Sequence, residues 1–259
     1  MKNNITDLIN SWKDFSNYDN HNLIEKCLKI SQILFNKNLN IYEYIKRIRI
    51  PSDSDIIKIV HTMNNIEKIL CVLNQYIFNQ QIKCERNNNH LNNFVDFVID
   101  NKKGNSLTLA IIYSEIANQI GLNMKIIEAN NSFMCRYNNI IINPQNLGPI
   151  LKINNDHGYK KQTNKDLEQD VILIKLLQNL KLSYVRSYAY GMASICIDMI
   201  LSIRLIPQEI RDKGIIEELS LNHKNALDLL NYYLKLEPDS DDVDYVLELI
   251  ENIHNKINQ

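Results

Sequence analysis

One stretch in the middle of the chain constrains the fold most, because a strong helix pattern is followed there by short strand patterns. After Gly104, apolar residues recur at the spacing of a single helical face, at Leu109, Ile112, Tyr113, Ile116, Ala117 and Ile120. Ser106 is placed to be the N-cap of this helix, and Gly121 to follow its last residue. The pattern predicts a helix with a continuous apolar stripe.

Three short runs after this helix predict the only β-structure of the chain. They are β-branched or alternating in polarity, and they cover Met124–Glu128, Ser132–Tyr137 and Ile140–Asn143. Pairs of asparagines separate them, and Asn138-Asn139 suits a tight hairpin because Asn tolerates a positive φ. The polar stretch Asn154–Asp166 that follows reads as an exposed linker.

The rest of the chain is predicted to be helical, and its 6 Gly and 5 Pro supply few helix breakers. Residues 22–35 and 55–84 carry helical apolar patterns, with a break and an N-cap at Pro51–Ser54. The chain is again helical from Leu167 onward, where Ala193 and Ala226 lie 33 positions apart. Together with closing prolines at 207 and 238, this spacing is typical of tetratricopeptide repeats. The fold class is therefore α+β, mostly α.

The segment 98–148 has the order Gly-x-x, helix, Gly, two strands with a hairpin, and Pro-x-Asn. This order resembles the transglutaminase-like core of the SirB-type bacterial proteins, and the resemblance extends over roughly residues 20–245. It implies N-terminal helices and a transglutaminase-like core with a small antiparallel sheet within 1–160. It also implies a tetratricopeptide-like helical domain at 167–259.

The resemblance also implies where catalytic residues would stand. Active cores of this type place a Cys at the start of the helix, a His on the next strand and an Asp on the strand after it. A helix N-terminus stabilises a thiolate, the His completes an ion pair, and the carboxylate orients the imidazole. The matching positions here hold Ser106, Ser132 and Asn143. Losing such a nucleophile or base costs about 10⁶ in rate, so these vestigial positions indicate a pseudoenzyme with no catalytic residue.

Other residues leave an alternative open, a residual hydrolase or acyltransferase that uses Ser106 with a displaced base. His90 and His157 flank the core and are the candidates for that base. Cys135 lies on the strand face opposite to Ser132, so it is expected to point away from the vestigial site at the start of the helix and to be a packed core thiol. Arg136 stands where the resembled family keeps an Arg, and it either anchors a carboxylate or carbonyl in the structure or binds a ligand.

Composition excludes several classes of function. The 29 basic and 30 acidic residues leave a net charge of −1, which argues against a dedicated nucleic-acid binder. The basic run Tyr44–Arg49 is therefore expected to be a solvated helix face, and the acidic stretch Glu237–Asp244 a junction between repeats. Cys84 and His90 have no second ligand pair, so no metal is expected, and without a glycine-rich phosphate loop no cofactor is expected either.

The location is predicted from cysteine usage and hydropathy. Five cysteines, an odd number without close pairing, indicate a reducing cytoplasm, and Cys27, Cys71 and Cys196 are expected to fill the core. No apolar run approaches the ~20 residues that span a bilayer, and the N-terminus lacks a signal-peptide pattern. The excess of Asn, Ile and Lys is typical of an A/T-rich genome. These features predict a cytoplasmic protein. The resemblance implies a bacterial one, and the replaced triad together with the helical-pair repeat predicts an interaction or regulatory module that acts on an unknown protein partner.

Overall fold

A computed structural model describes residues 2–18, 20–62, 65–78, 83–84, 89–129, 131–146, 150–152 and 165–258. The helices are α1 Lys2–Ser16, α2 Leu23–Leu34, α3 Ile41–Ile48, α4 Asp55–Thr62, α5 Ile66–Phe78, α6 Val95–Asn101, α7 Ser106–Gln119, α8 Gln169–Arg186, α9 Tyr190–Ile203, α10 Pro207–Leu219, α11 His223–Leu236 and α12 Val243–Ile257. The strands are β1 Lys83–Cys84, β2 Lys103–Gly104, β3 Lys125–Ala129, β4 Ser132–Tyr137, β5 Ile140–Ile142 and β6 Ile150–Lys152. Within this described part, no helix has both the length and the apolar character needed to cross a membrane.

The chain forms two compact units. One comprises residues 19–173, and the other comprises residues 1–18 together with 174–259. The N-terminal helix α1 thus belongs with the C-terminal helices, whereas the sequence analysis placed it in the first domain. The reason is Trp12, which is fully buried and donates a hydrogen bond from Nε1 to the Met199 carbonyl of α9 at 3.1 Å. The division of the chain into separate domains at 1–160 and 167–259 remains a prediction.

A small antiparallel sheet forms the centre of the first unit, in the order β3-β4-β5-β6. Tyr137 pairs with Ile140 across a two-residue turn in which Asn138 adopts a φ of +52°, so the predicted hairpin is present. The fold is α+β and mostly α, as predicted. The sequence analysis missed β6 and the parallel pair of β1 and β2, which are only two or three residues long and carry no periodic signal.

The helix after Gly104 is α7, and its ends are fixed by two local motifs. Its N-cap is Asn105 and not Ser106, because Asn105 Oδ1 accepts from the Thr108 N–H at 3.0 Å while Thr108 Oγ1 accepts from the Asn105 N–H at 3.1 Å. Its other end closes at Gly121 as predicted, with a φ of +81° and a hydrogen bond from the Leu122 N–H to the Ala117 carbonyl.

The N-terminal helices follow the sequence patterns with two corrections. Residues 22–35 form α2, which Asn22 and Glu25 cap reciprocally. The region 55–84 is not one helix: α4 and α5 are separate, and Cys84 lies in β1. The basic run around α3 is not simply solvated, because Arg47 pairs with Asp100 at 2.6 Å and Tyr44 donates to the same carboxylate at 2.7 Å.

The second unit is built from helix hairpins. Short turns join α9, α10 and α11, and Gly214 of α10 packs so closely on α11 that an added Cβ would lie 2.8 Å from Leu230 Cγ. Ala193 and Ala226 are both fully buried, as small residues at repeat contacts would be. Pro207 does not close a repeat, however, since it is the first residue of α10, where its missing N–H leaves no backbone bond unmade.

A network of charged side chains holds these helices together. Lys181 of α8 is almost completely buried, and its Nζ donates to Glu209 and to Asp212 of α10 at 2.7 Å each. Arg211 extends the network by pairing with Asp212 and with Asp242, the residue of the predicted acidic junction that precedes α12. Hydrogen bonds from Ser240, Tyr233 and Arg211 hold the pKa of the Asp242 carboxyl below its usual range.

The ends of α8 and α10 carry bulky residues where glycine is favoured. Tyr188 and Leu221 have φ values of +59° and +63°, and each occupies the position that Gly121 occupies after α7. A non-glycine side chain in this left-handed region costs about 1 kcal/mol or more. Both side chains are nevertheless solvent-exposed, at 79% and 77%. Tyr188 meets the ring of Tyr190 edge to face, with 6.2 Å between the centroids, but burial within the second unit accounts for neither residue.

The cysteines are reduced, and two of the three predicted core cysteines are in the core. Cys27 and Cys196 are buried, and burial raises the pKa of both thiols. The prediction for Cys71 is wrong, because this residue lies on the exposed side of α5. The apolar residues around Cys71 predicted a helix, but they did not show which side of that helix faces the core.

Candidate functional site

The start of α7 is the place where the resemblance locates a nucleophile. Ser106 is the first residue of the helix, directly after the Asn105 cap, and is half-buried. The cap is anchored from outside the helix: Asn105 Nδ2 donates to Asn93 Oδ1 at 2.6 Å, and Thr108 Oγ1 donates to the Asn92 carbonyl at 2.9 Å. The geometry therefore fixes this helix start without using the Ser106 hydroxyl.

Two further segments meet at the same helix start. Strand β1 pairs in parallel with β2, which places Cys84 beside Gly104, two residues before Ser106. The short 3₁₀ helix His90–Asn93 supplies the contacts to Asn105 and Thr108 just described. Gly104 is required here, since a Cβ at this position would lie 2.9 Å from both Thr108 Oγ1 and Val98 Cγ1. The sequence analysis weighed Cys84 only as a metal ligand and missed its place beside the helix.

Ser132 begins β4, and its side chain lies on the sheet face opposite to α7. It pairs with Ala129, and it shares its face with Met134, which packs on Ile127 and Ile141. The Ser132 Oγ is buried and has no hydrogen-bond partner among the residues that the structure describes. Its face therefore directs it away from Ser106.

The other face of β4 meets α7. Cys135 is fully buried, and its Sγ lies 3.5 Å from the Ala110 carbonyl, one helical turn after Ser106. The prediction of a packed core thiol is confirmed, and burial raises the pKa of that thiol. Its orientation differs from the expectation, since Cys135 points toward α7 rather than away from it. By strand alternation, Phe133 shares this face.

Asn143 follows β5 and takes part in a local turn. Its Oδ1 accepts a hydrogen bond from the Gln145 N–H at 2.9 Å, which starts the 3₁₀ helix Pro144–Asn146. Among the described residues, no hydrogen bond joins any two of Ser106, Ser132 and Asn143. The structure does not bring these three side chains together as a hydrogen-bonded unit.

Of the two histidines proposed as a base for Ser106, the structure describes only His90. His90 is exposed and lies near the start of α7, but no hydrogen bond links it to Ser106 in the part of the chain that the structure describes. His157 lies outside the described residues. Within the described ranges, no three His, Cys, Asp or Glu side chains cluster in a way that could hold a metal ion.

Arg136 makes an ion pair across a long sequence separation. Its Nη2 lies 2.6 Å from Asp166 Oδ1, and both side chains are partly exposed. Asp166 also forms an isolated antiparallel bridge with Ile127, so the end of the predicted linker is attached to the sheet. The rest of that linker, Asn154–Asn164, lies outside the described residues. Arg136 thus anchors a carboxylate, and that carboxylate belongs to this chain.

A helix capped at its start and covered by an antiparallel sheet is the arrangement expected of a transglutaminase-like core. Residues 41–182, more than half of the chain, match the family model of the transglutaminase-like superfamily, and the protein belongs to that family. Two UPF0162 proteins of Xylella fastidiosa, from strains Temecula1 and 9a5c, are each 25% identical over 213 residues, covering 72% of this chain and 74% of theirs. No solved structure matches the chain significantly.

Proposed function

We propose that this protein is a non-catalytic member of the transglutaminase-like superfamily, of the SirB type, which acts in the cytoplasm as a protein-interaction or regulatory module. The observation that carries the proposal is the composition of β4. Neither of its faces presents an imidazole: Ser132 lies on one, and Phe133 and Cys135 lie on the other, which meets α7. A strand without a base cannot activate a hydroxyl at the helix start.

The chemistry of the helix start supports the same proposal. A serine hydroxyl is a weak nucleophile until an adjacent base takes its proton, and a helix N-terminus contributes only about 0.3–1 kcal/mol to a nearby negative charge. The Asn143 side chain carries no charge with which to stabilise an imidazolium, and its oxygen is already bonded to the Gln145 N–H. Cys135 is a poor substitute nucleophile because it is fully buried and burial raises the pKa of its thiol.

The second unit supports a role in protein contacts. Tyr188 and Leu221 combine a left-handed backbone with a highly exposed apolar side chain. Strained residues of this kind persist mostly where function requires them, and exposed apolar side chains mark interaction surfaces. A tetratricopeptide-like arrangement of the helix hairpins would present them to a peptide or protein partner.

The two exposed residues lie at the same end of the second unit. Gln178 and Lys181 of α8 contact Glu209, and Lys181 also contacts Asp212, so α8 and α10 run in the same direction. Tyr188 and Leu221 follow the last residues of these two helices. We define Tyr188 and Leu221 together as the turn surface.

The absence of catalysis can be tested on Cys84, which has an internal control in Cys71. Cys71 is exposed and Cys84 is partly exposed, and of these two only Cys84 lies beside the start of α7. An unactivated thiol is mostly protonated at pH 7. We therefore expect iodoacetamide to alkylate Cys84 no faster than Cys71, as followed by peptide mass spectrometry. Alkylation of Cys84 more than about tenfold faster, or of Ser106 by a fluorophosphonate, would revive the enzymatic alternative.

The interaction role can be tested with the double variant Tyr188→Asn/Leu221→Asn. Asn tolerates a positive φ, so the free energy of unfolding of this variant should equal that of the parent or exceed it by up to about 1 kcal/mol. We expect proteins captured from source-cell lysate by the parent to be depleted at least tenfold on the variant. The matched control is Tyr42→Asn, which removes a tyrosine that is 71% exposed on α3. Equal capture by the parent and the double variant would contradict the proposal.

A further inference from the structure

A cleft of about 280 Å³ opens in the first unit, at the opposite end of α7 from Ser106. Its walls come from the first residues of α2, the part of α7 from Ile111 to Asn118, the beginning of β3 and the beginning of α8. All of these segments belong to the unit 19–173. The cleft is therefore separate from the candidate site described above, and it does not depend on the proposed function.

One carboxylate in the cleft wall has no positively charged partner. Glu115 of α7 lines the cleft, and its carboxylate accepts a long hydrogen bond of 3.5 Å from Gln119 Nε2. Among the described residues, no Lys, Arg or His nitrogen lies within 4 Å of it. Burial, together with the nearby Glu25 carboxylate, raises the pKa of the Glu115 carboxyl. A cation entering the cleft would relieve this desolvated charge.

The other polar groups of the cleft are already engaged. Asn118 Oδ1 accepts from the Met124 N–H at 2.8 Å, and Gln169 Oε1 accepts from Lys26 Nζ at 3.1 Å. The Ser114 hydroxyl donates to the Ile111 carbonyl at 2.9 Å, and Asn22 Oδ1 accepts from the Glu25 N–H at 3.0 Å. Lys125 also lines the cleft, but its side chain is exposed to solvent. Glu115 is therefore the strong hydrogen-bond acceptor that remains for a ligand.

The remaining walls are apolar. Leu23 and Leu167 are the partly exposed apolar residues of the lining, and they lie with the buried side chains of Ile24, Ile111, Met124, Ile126 and Ile172. Leu23 and Leu167 offer contact to a short hydrocarbon chain but would leave a polar one without hydrogen bonds. Glu115 also lies near the C-terminus of α7, where the helix dipole favours a positive charge.

We propose that this cleft binds a primary alkylammonium group, with the ammonium on the Glu115 carboxylate and the alkyl chain against the partly exposed side chains of Leu23 and Leu167. The same chemistry is offered by a free alkylamine and by a lysine side chain of another protein. The apolar walls disfavour a fully polar cation, and the single carboxylate matches the single charge of an ammonium.

The test is an NMR titration of the protein with ¹³C-labelled methionine methyl groups, read at Met124. n-Butylammonium chloride is compared with the neutral 1-butanol at constant ionic strength. We expect n-butylammonium to give a saturable shift with a Kd at least about tenfold lower than that of 1-butanol, since a charge-assisted hydrogen bond is lost in the alcohol. A third titration with Nα-acetyl-lysine N-methylamide separates the two sources of the ammonium. If this lysine derivative binds as tightly as n-butylammonium or more tightly, the ligand is a lysine of another protein. If n-butylammonium binds saturably and the lysine derivative does not bind, the ligand is a free alkylamine.

The variant Glu115→Gln keeps the shape of the side chain and removes its charge. It should weaken n-butylammonium binding to the level of 1-butanol and leave 1-butanol binding unchanged. Glu43→Gln is the control, because Glu43 is an exposed glutamate of α3 that does not line the cleft. The proposal is overturned if n-butylammonium does not shift the Met124 signal, if both ligands bind equally, or if Glu115→Gln binds n-butylammonium as tightly as the parent.

Discussion

Replacing Lys181 with methionine is expected to lower the free energy of unfolding of the second unit by about 3–5 kcal/mol. The side chain of Lys181 is 7% exposed and that of Glu209 is 3% exposed, so the substitution leaves the Glu209 carboxylate buried without its cation. Gln178 still donates one hydrogen bond to Glu209 at 2.8 Å, but it brings no charge. Urea unfolding followed by far-UV circular dichroism measures the change.

Two further variants separate the charge from the packing of this side chain. Lys224→Met changes an exposed lysine of α11 and should alter the stability by no more than about 0.5 kcal/mol. The double variant Lys181→Met/Glu209→Met removes both buried charges and should recover much of the loss. If Lys181→Met alone costs less than 1 kcal/mol, the buried ion pair does not hold α8 and α10 together as the structure indicates.

Replacing Trp12 with alanine is expected to cost a similar amount, about 3–5 kcal/mol, for a different reason. Trp12 is fully buried in the second unit, so its loss removes a large apolar contact and leaves a cavity. It also leaves the Met199 carbonyl without the indole donor. Circular dichroism during urea unfolding provides the measurement.

Trp12 offers a convenient control because it is the only tryptophan of the chain. Its fluorescence in the parent reports the unfolding of the second unit directly. Trp12→Phe keeps most of the apolar contact and loses the hydrogen bond, so its cost should be clearly smaller than that of Trp12→Ala. Should Trp12→Ala unfold at the same urea concentration as the parent, α1 would not be part of the second unit.

The elements that the sequence predicted well are those whose signals are local. The apolar stripe of α7 and the alternating runs of β3 and β4 lie within single elements, and periods of 3.6 and 2 identify them directly. The position of α1 has no local signal, because Trp12 and Met199 are 187 residues apart. The N-cap was misplaced by one residue because Asn105 and Ser106 are both good capping types, and only the reciprocal bond with Thr108 decides between them.

At the candidate site too, the sequence predicted local features but not contacts between distant residues. Alternation along β4 separated Ser132 from Cys135, but it could not tell which face would meet α7, since both faces contain large apolar residues. The Arg136–Asp166 ion pair joins residues that are 30 positions apart in the sequence, and Cys84 lies beside Gly104 across 20 positions. A single sequence does not reveal such long-range contacts. The Glu115 cleft was missed for the same reason, as four separate segments build it.

The reciprocal bonds between Asn105 and Thr108 have an evolutionary consequence. Because they stabilise the start of α7 by themselves, position 106 is released from any duty in folding, and a cysteine there would meet no steric or energetic obstacle from the cap. Under the proposed non-catalytic function, the barrier to a reactive centre at this helix lies in the sheet. An imidazole facing the helix would have to replace the aromatic side chain of Phe133, because a cysteine at position 106 alone would have no base on β4.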